Sequence, residues 1–344
     1  MHSGASRSVN NRFKARSAAF LAALLAALIG AVLLSLRAGS YNTSVGELIR
    51  GLFGRAADNK INIIVRNNRL PRILTAIISG AGLGASGCVL QAILRNPLAS
   101  ASTLGVSQGA SFGAALAIIV FNLGSSALAG LAVPLMAFAG SMGVALIILG
   151  LARIRKVSAE GIVLSGVAIS SMLSGGTALI QYFADEIQLS TLVFWTFGDL
   201  GSTNWADIRL LAAVVALTGA YFLIHRWDYN ALMSGAETAQ SVGVNVKRVT
   251  MINMVLCCLT ASAIVSYIGL ISFIGLIAPH MVRQVTGNNH AVLIPGSMLA
   301  GATLLLLGDL VARTAASPIL LPIGAITSLL GGPLFLYLLF KGKK

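Results

Sequence analysis

Long apolar runs separated by short polar and basic joints dominate this chain, and the period of two that a strand would show is absent. Runs fall at 18–36, 70–94, 103–121, 127–151, 161–184, 208–224, 249–278, 291–312 and 319–340. Most are close to the roughly twenty residues that an α-helix needs to cross hydrocarbon. The run from Val249 is too long for one crossing and carries Gly269 and Gly275 before Ala278-Pro279-His280, so it predicts two helices, the second short. Both ends are basic: a tail over 1–17 with Arg7, Arg12, Lys14 and Arg16, and Lys341-Gly342-Lys343-Lys344. Two basic ends belong on the cytoplasmic side, which requires an even number of crossings. The pattern therefore predicts an all-α membrane protein with about ten transmembrane helices, forming one transmembrane domain over 1–344, with an uncleaved first helix.

The stretch Arg69 to Gly113 has the sharpest punctuation. Pro71 suits the first turn of a helix, where its missing N–H costs little. Arg95-Asn96-Pro97 makes a polar corner after that helix, and a second glycine- and serine-rich helix follows.

Composition agrees: of 344 residues 56% are hydrophobic and 10% charged, against about 25% charged in a soluble domain. The net charge of +14 sits in joints between spans, where it sets topology and gives no reason to expect nucleic acid. Arg153, Arg155, Lys156, Arg226, Lys247, Arg248 and Arg283 fall inside under this topology. The external segment 37–69 runs against the bias, with Arg37, Arg50, Arg55, Lys60, Arg66 and Arg69 against Glu47 and Asp58. Either the basic tail has already fixed orientation and this charge is tolerated, or this face meets an acidic partner. Cys88, Cys257 and Cys258 lie inside apolar runs without metal-ligand spacing and read as filler.

Two motifs tempt and fail. Gly82-Leu-Gly84-Ala-Ser-Gly87 matches a dinucleotide fingerprint but sits in mid-span, where small residues serve helix packing. Gly105-Val-Ser107-Gln-Gly109 matches a hydrolase elbow, which requires a strand-to-helix turn in a sheet. No P-loop is present, so ATP, if it powers the protein, is hydrolysed on another subunit. Asp309 is the only acid near a span interior, and it lies towards the outer end. The lack of midplane carboxylates argues against an ion-coupled secondary transporter. The cytoplasmic segment 226–248 contains a polar, helix-forming interlude, Ala231 to Gly243, better suited to docking a cytoplasmic partner than to a plain connection.

Taken in order, several segments resemble the permease subunits of ABC importers for iron-siderophores, haem and cobalamin (type II importers). They are Arg69-Leu-Pro-Arg72, Gly80 to Gln91, Asn96-Pro97-Leu98-Ala99, Leu104-Gly105-Val106 with Gly109, Gly235 to Gly243, Gly269 to His280, Leu293 to Gly301, Asp309 to Arg313 and Leu321 to Gly324. The resemblance covers nearly the whole chain and implies ten helices in a multi-pass protein of a bacterial or archaeal cytoplasmic membrane. It implies a second permease subunit, as a homodimer, two cytoplasmic ATPase subunits that hold the ATP and Mg, and an extracytoplasmic substrate-binding protein. The chain itself would be neither an enzyme nor the holder of a metal or cofactor. Arg69, Arg72 and Arg313 match outer-face arginines that pair with glutamates of the binding protein. Gly235, Ala236, Glu237, Thr238, Ala239 and Gly243 match the helices that couple to the ATPase, with Val242 where leucine is more usual. Asn96 and Leu98 match a cytoplasmic gate; Ser158 and Ala159 match a second constriction, where Ala159 lacks the hydroxyl of a relative. Ser165, Ser170, Ser174 and Gly175 would line the pore, although helix packing explains any one of these serines equally well. The implied cargo is a metal chelate, foremost a ferric siderophore, with haem or cobalamin as alternatives.

Overall fold

Apolar runs without an alternating period bury their backbone polar groups only as helices, and the computed structural model is helical throughout its regular elements. It describes residues 2–38, 44–124, 129–154 and 159–341. The helices are α1 His2–Arg37, α2 Val45–Leu52, α3 Asn59–Ile64, α4 Leu70–Ile93, α5 Val106–Ala115, α6 Ala129–Ile154, α7 Ala159–Tyr182 and α8 Glu186–Phe197. They continue as α9 Trp205–Ile224, α10 Arg226–Met233, α11 Ala236–Ser241, α12 Val246–Ile268, α13 Ile274–Thr286, α14 His290–Thr314 and α15 Ile323–Lys341.

Seven stretches are long and apolar enough to cross a membrane, and Val106–Val120 and Ile323–Leu338 are shorter apolar helices. These counts are of the described residues; α13 is a further short helix in the second half of the long run. The predicted division of the long run falls at Gly269, whose φ of 76° ends α12; Phe273 at φ 67° opens α13. The thirteen residues of α13 span only about 20 Å, so this crossing is completed by the irregular 269–273 link. Trp205 at the start of α9 and Trp227 of α10, just beyond its end, are both exposed, as suits indole rings flanking a span.

The first turn of α4 differs from expectation. Helix does not begin at Pro71: the chain is already helical from Asn59, and a π-turn over Val65–Arg69 joins α3 to α4. A π-turn shifts the hydrogen-bond ladder by one residue, which gives a proline place inside a continuous helix.

α4 is the axis of the molecule, with nineteen of its 24 residues buried. Its glycines explain why other helices come so close. A Cβ at Gly80 would overlap the Gly301 carbonyl of α14, and one at Gly87 would overlap the Gly275 carbonyl of α13. The mid-span glycines thus serve backbone-to-backbone packing, as the sequence indicated. α5 pairs with α6 through Gly109 and Gly140, and α7 lies on α5. α1 and α15 flank α14.

Candidate functional site

At the outer end of the bundle, α4 and α14 converge on one carboxylate. Asp309 has no exposed side-chain surface; it accepts from Arg72 Nε at 2.8 Å and from Arg313 Nε at 2.9 Å. Arg72 reaches with Nη1 to Asp199, 3.2 Å away in the α8–α9 connection and half exposed. Arg313 also donates to the Ser35 and Ala38 carbonyls and to Ser35 Oγ at the end of α1, and Arg69 donates to the Leu36 carbonyl. The end of α1 leaves carbonyls unpaired, and the guanidinium forks fill them. Arg69 and Arg72 are only 6% and 8% exposed.

This changes the picture drawn from the sequence. The three arginines expected to face a partner share the outer end of the molecule, but all three are engaged internally. The exposed cations of the 37–69 segment are Arg37, Arg50, Arg55, Lys60 and Arg66; Arg50 among them holds Glu47 at 2.8 Å. Asp199 escaped the sequence reading, because a loop aspartate carries no sign of its partner. Asp309 had a usable sign: its spacing of four to Arg313 on one helix face.

At the cytoplasmic end of α4 the chain turns sharply. Arg95 adopts φ 47°, and Asn96 accepts from the Leu98 N–H at 2.8 Å in an Asx-turn. Ser100 and Thr103 exchange side-chain-to-backbone bonds just beyond. The corner is therefore braced from within, and it holds the Leu98 side chain exposed. Ser158 lies outside the described residues, and Ala159 is the first residue of α7.

α7 has two faces. Ile162, Gly166 and Thr177 are buried, with Gly166 against the backbone of Thr103 and Leu104. Ser171, Ser174 and Gly175 are exposed on the other side, and nothing lies within 4 Å of a Cβ at Gly175. Ser165 and Ser170 fall between, half-buried; Ser170 Oγ lies against Gly105 of the α5 entry. The hydroxyls of Ser165, Ser170 and Ser171 bond carbonyls one turn back, at 2.8, 2.7 and 3.1 Å, so these three donors are already used; Leu164, Val167, Met172 and Leu179 are exposed beside them.

The cytoplasmic segment is mounted rigidly. Tyr229 of α10 is buried and donates to Asn253 at 2.6 Å; burial raises its pKa, so it remains a donor. Asn230 accepts from the His290 N–H at 2.9 Å. Gly235 (φ 115°) and Gly243 (φ 89°) bracket α11. Ala239 packs inward without exposure, Ala236 is half-buried, and Glu237, Thr238 and Val242 point out, Val242 at 66% exposure. An exposed valine beside a glutamate on a fixed short helix is a surface shaped for contact.

Residues 25–341 match the model of the FecCD transport family. The chain is 47% identical over 316 residues to an inferred ABC transporter permease protein of Methanocaldococcus jannaschii, covering 90% of each chain. It is 35% identical to the hemin transport system permease protein of Yersinia pestis, covering 91% of this chain and 94% of that one. A solved structure, described as an inward-facing conformation of an ABC transporter inferred to be of metal-chelate type, superposes with a TM-score of 0.83 at 32% identity. That superposition covers 93% of this chain and 98% of the other.

Proposed function

Since this chain belongs to the FecCD transport family of ABC importer permeases, we propose that it forms, with a second copy of itself, the pore through which a ferric siderophore enters the cell. A separate ATPase pair docks on α11 and supplies the driving force; an extracytoplasmic binding protein delivers the cargo to the outer face. The observation that carries this reading is α11 itself. A six-residue helix, bracketed by two positive-φ glycines and held by α10, turns Glu237 and Thr238 outwards together with Val242 at its C-cap, where a partner's movement would reach the helices through Tyr229 and Asn230.

The exposed face of α7 supports the pore assignment. On it Ser171, Ser174 and Gly175 alternate with the exposed apolar Leu164, Val167, Met172 and Leu179, a surface that offers a bulky chelate few strong partners, so cargo would pass without being held. Leu98, exposed at a braced corner, would meet its counterpart across the two-fold axis as the gate. Docking of the binding protein would use the exposed cations of 37–66, with the Arg72–Asp309–Arg313 cluster as the rigid seat beneath them.

Haem is the second reading, supported by the likeness to the Yersinia pestis hemin permease; cobalamin is a third within the same family. Uptake of labelled ferric siderophore, haem and cobalamin in a strain lacking this gene separates them. Restoration of siderophore uptake by the cloned gene is the expected result; restoration of haem uptake alone would replace the first reading by the second.

A further inference from the structure

α5 and α13 both begin among buried residues: Val106 is 1% and Ile274 5% exposed. The first N–H groups of a helix have no partner within it, and a start buried in a membrane protein must find acceptors elsewhere. Neither start has a side-chain cap. Among the described residues, the N–H groups of Ser107 in α5 and Gly275 in α13 have no acceptor. Both residues line one cavity of about 20 Å³ between α4, α5, α12 and α13. A third lining residue, Ser86 of α4, is 1% exposed, and its Oγ has no hydrogen-bond partner. A serine in a helix commonly returns its hydroxyl to a carbonyl one turn back. The buried Ser266 and Ser297 bond carbonyls of their own helices in this way, and Ser86 does not.

A cavity of this size has room for a water molecule and for no larger solute. No ionisable side chain lines it, so an anion drawn to two helix starts would lie desolvated without a counter-charge. Water meets the demand, since one molecule accepts from donors and donates to a hydroxyl oxygen at once. We propose that the cavity is a hydration site, whose ordered water accepts from the N–H groups of Ser107 and Gly275 and donates to Ser86 Oγ. The half-buried Ser102 and Phe273 at its rim give water a way in. The water ties the starts of α5 and α13 to α4. It also fixes the far end of the segment that carries Leu98, because Val106 N–H donates to the Ala101 carbonyl and Gly105 N–H to that of Ser102. A role in gating rests on the reading of Leu98 given above; the hydration site does not.

The test compares the melting of two alanine variants of the full chain, purified in detergent. Ser79 supplies the control: it lies on the same helix, is fully buried with an unpartnered Oγ, and does not line the cavity. Both replacements gain the same intrinsic helix propensity. Ser79→Ala removes an unsatisfied buried hydroxyl, a change that is neutral or stabilising. Ser86→Ala takes a partner from the water, so it should melt several degrees below Ser79→Ala. Equal melting, or a higher value for Ser86→Ala, would show a dry hydroxyl and overturns the proposal. A density map of the wild-type protein, at a resolution that shows ordered waters, checks the site directly. A peak within hydrogen-bond reach of Ser86 Oγ and of the Ser107 or Gly275 nitrogen is expected, and its absence overturns the proposal. So does an anomalous peak at that position in crystals grown with bromide, which would mark a halide site. Uptake separates the site from the gate. With the peak and the melting difference both present, wild-type uptake by Ser86→Ala would leave the hydration site standing and remove its tie to gating.

Discussion

Asp309 and Arg72, 237 positions apart in sequence, meet in a buried bond of 2.8 Å that joins the two most closely packed helices of the molecule. The carboxylate has no solvent exposure and compensates two guanidiniums at once. Breaking a buried pair by removing one partner costs about 3–5 kcal/mol, because the charge left behind remains desolvated. Asp309→Ala should therefore lower the melting temperature of the detergent-purified protein sharply, or abolish folded yield. A melting curve like that of wild type would show that Arg72 and Arg313 find water in its absence.

Asp199 holds the same arginine from the solvent side, and its loss should have little effect on stability. Exposed ion pairs contribute about 0–1 kcal/mol. Asp199→Asn is expected to melt within a few degrees of wild type. Docking of the binding protein should change little, because Arg72 stays buried and bound to Asp309. Pull-down titration decides this, and weaker docking would assign Asp199 a direct contact instead.

The outer arginines require a different experiment from the one their sequence suggests. Arg69→Glu with Arg72→Glu places two carboxylates in a buried cluster that already contains Asp309, so the pair should reduce folded protein before docking can be measured. Arg55→Glu with Arg66→Glu changes exposed charges only. That variant should fold normally and dock the binding protein more weakly, with the deficit shrinking as salt is raised. Unchanged docking at low salt would remove the exposed cations from the interface.

Much of this was legible in the chain. Hydropathy marked the apolar helices, because water-free surroundings leave the backbone no alternative to helix, and Gly269 marked the break in the long run. The glycines of 80–87 announced close packing, though not which helices they would meet. What the sequence concealed was burial. An arginine in an external joint reads as exposed, and only the fold brings the end of α1, with its unpaired carbonyls, over Arg69 and Arg313. The π-turn before Pro71 was hidden for a similar reason: proline marks helix starts, and nothing local distinguishes a start from a shifted ladder.

α11 and its C-cap Val242 separate mount from contact surface within seven residues. Glu237→Arg with Val242→Asp alters only outward side chains and should abolish co-purification of the ATPase while leaving the permease melting unchanged. Ala239→Asp buries an unpaired carboxylate against the mount and should destabilise the protein itself. If the first variant still holds its ATPase in full, α11 is not the docking helix.

Adjacent glycines on α7 give the most discriminating test of the pore. A Cβ at Gly175 meets nothing within 4 Å, whereas one at Gly176 comes within 3.0 Å of the Phe112 ring on α5. Both lose a flexible residue from a helix interior, so Ala at either site gains about the same intrinsic helix propensity, up to 1 kcal/mol. Bulk distinguishes them. Gly176→Trp must displace Phe112 and should lower stability by the few kcal/mol typical of overpacking. Gly175→Trp enters open space and should leave melting and ATPase docking as in wild type. If α7 lines the conduit, that second variant should nonetheless stop uptake, because an indole from each of two copies narrows the passage on a two-fold axis. Normal uptake by a stable Gly175→Trp protein would move the exposed face of α7 from the pore to the lipid.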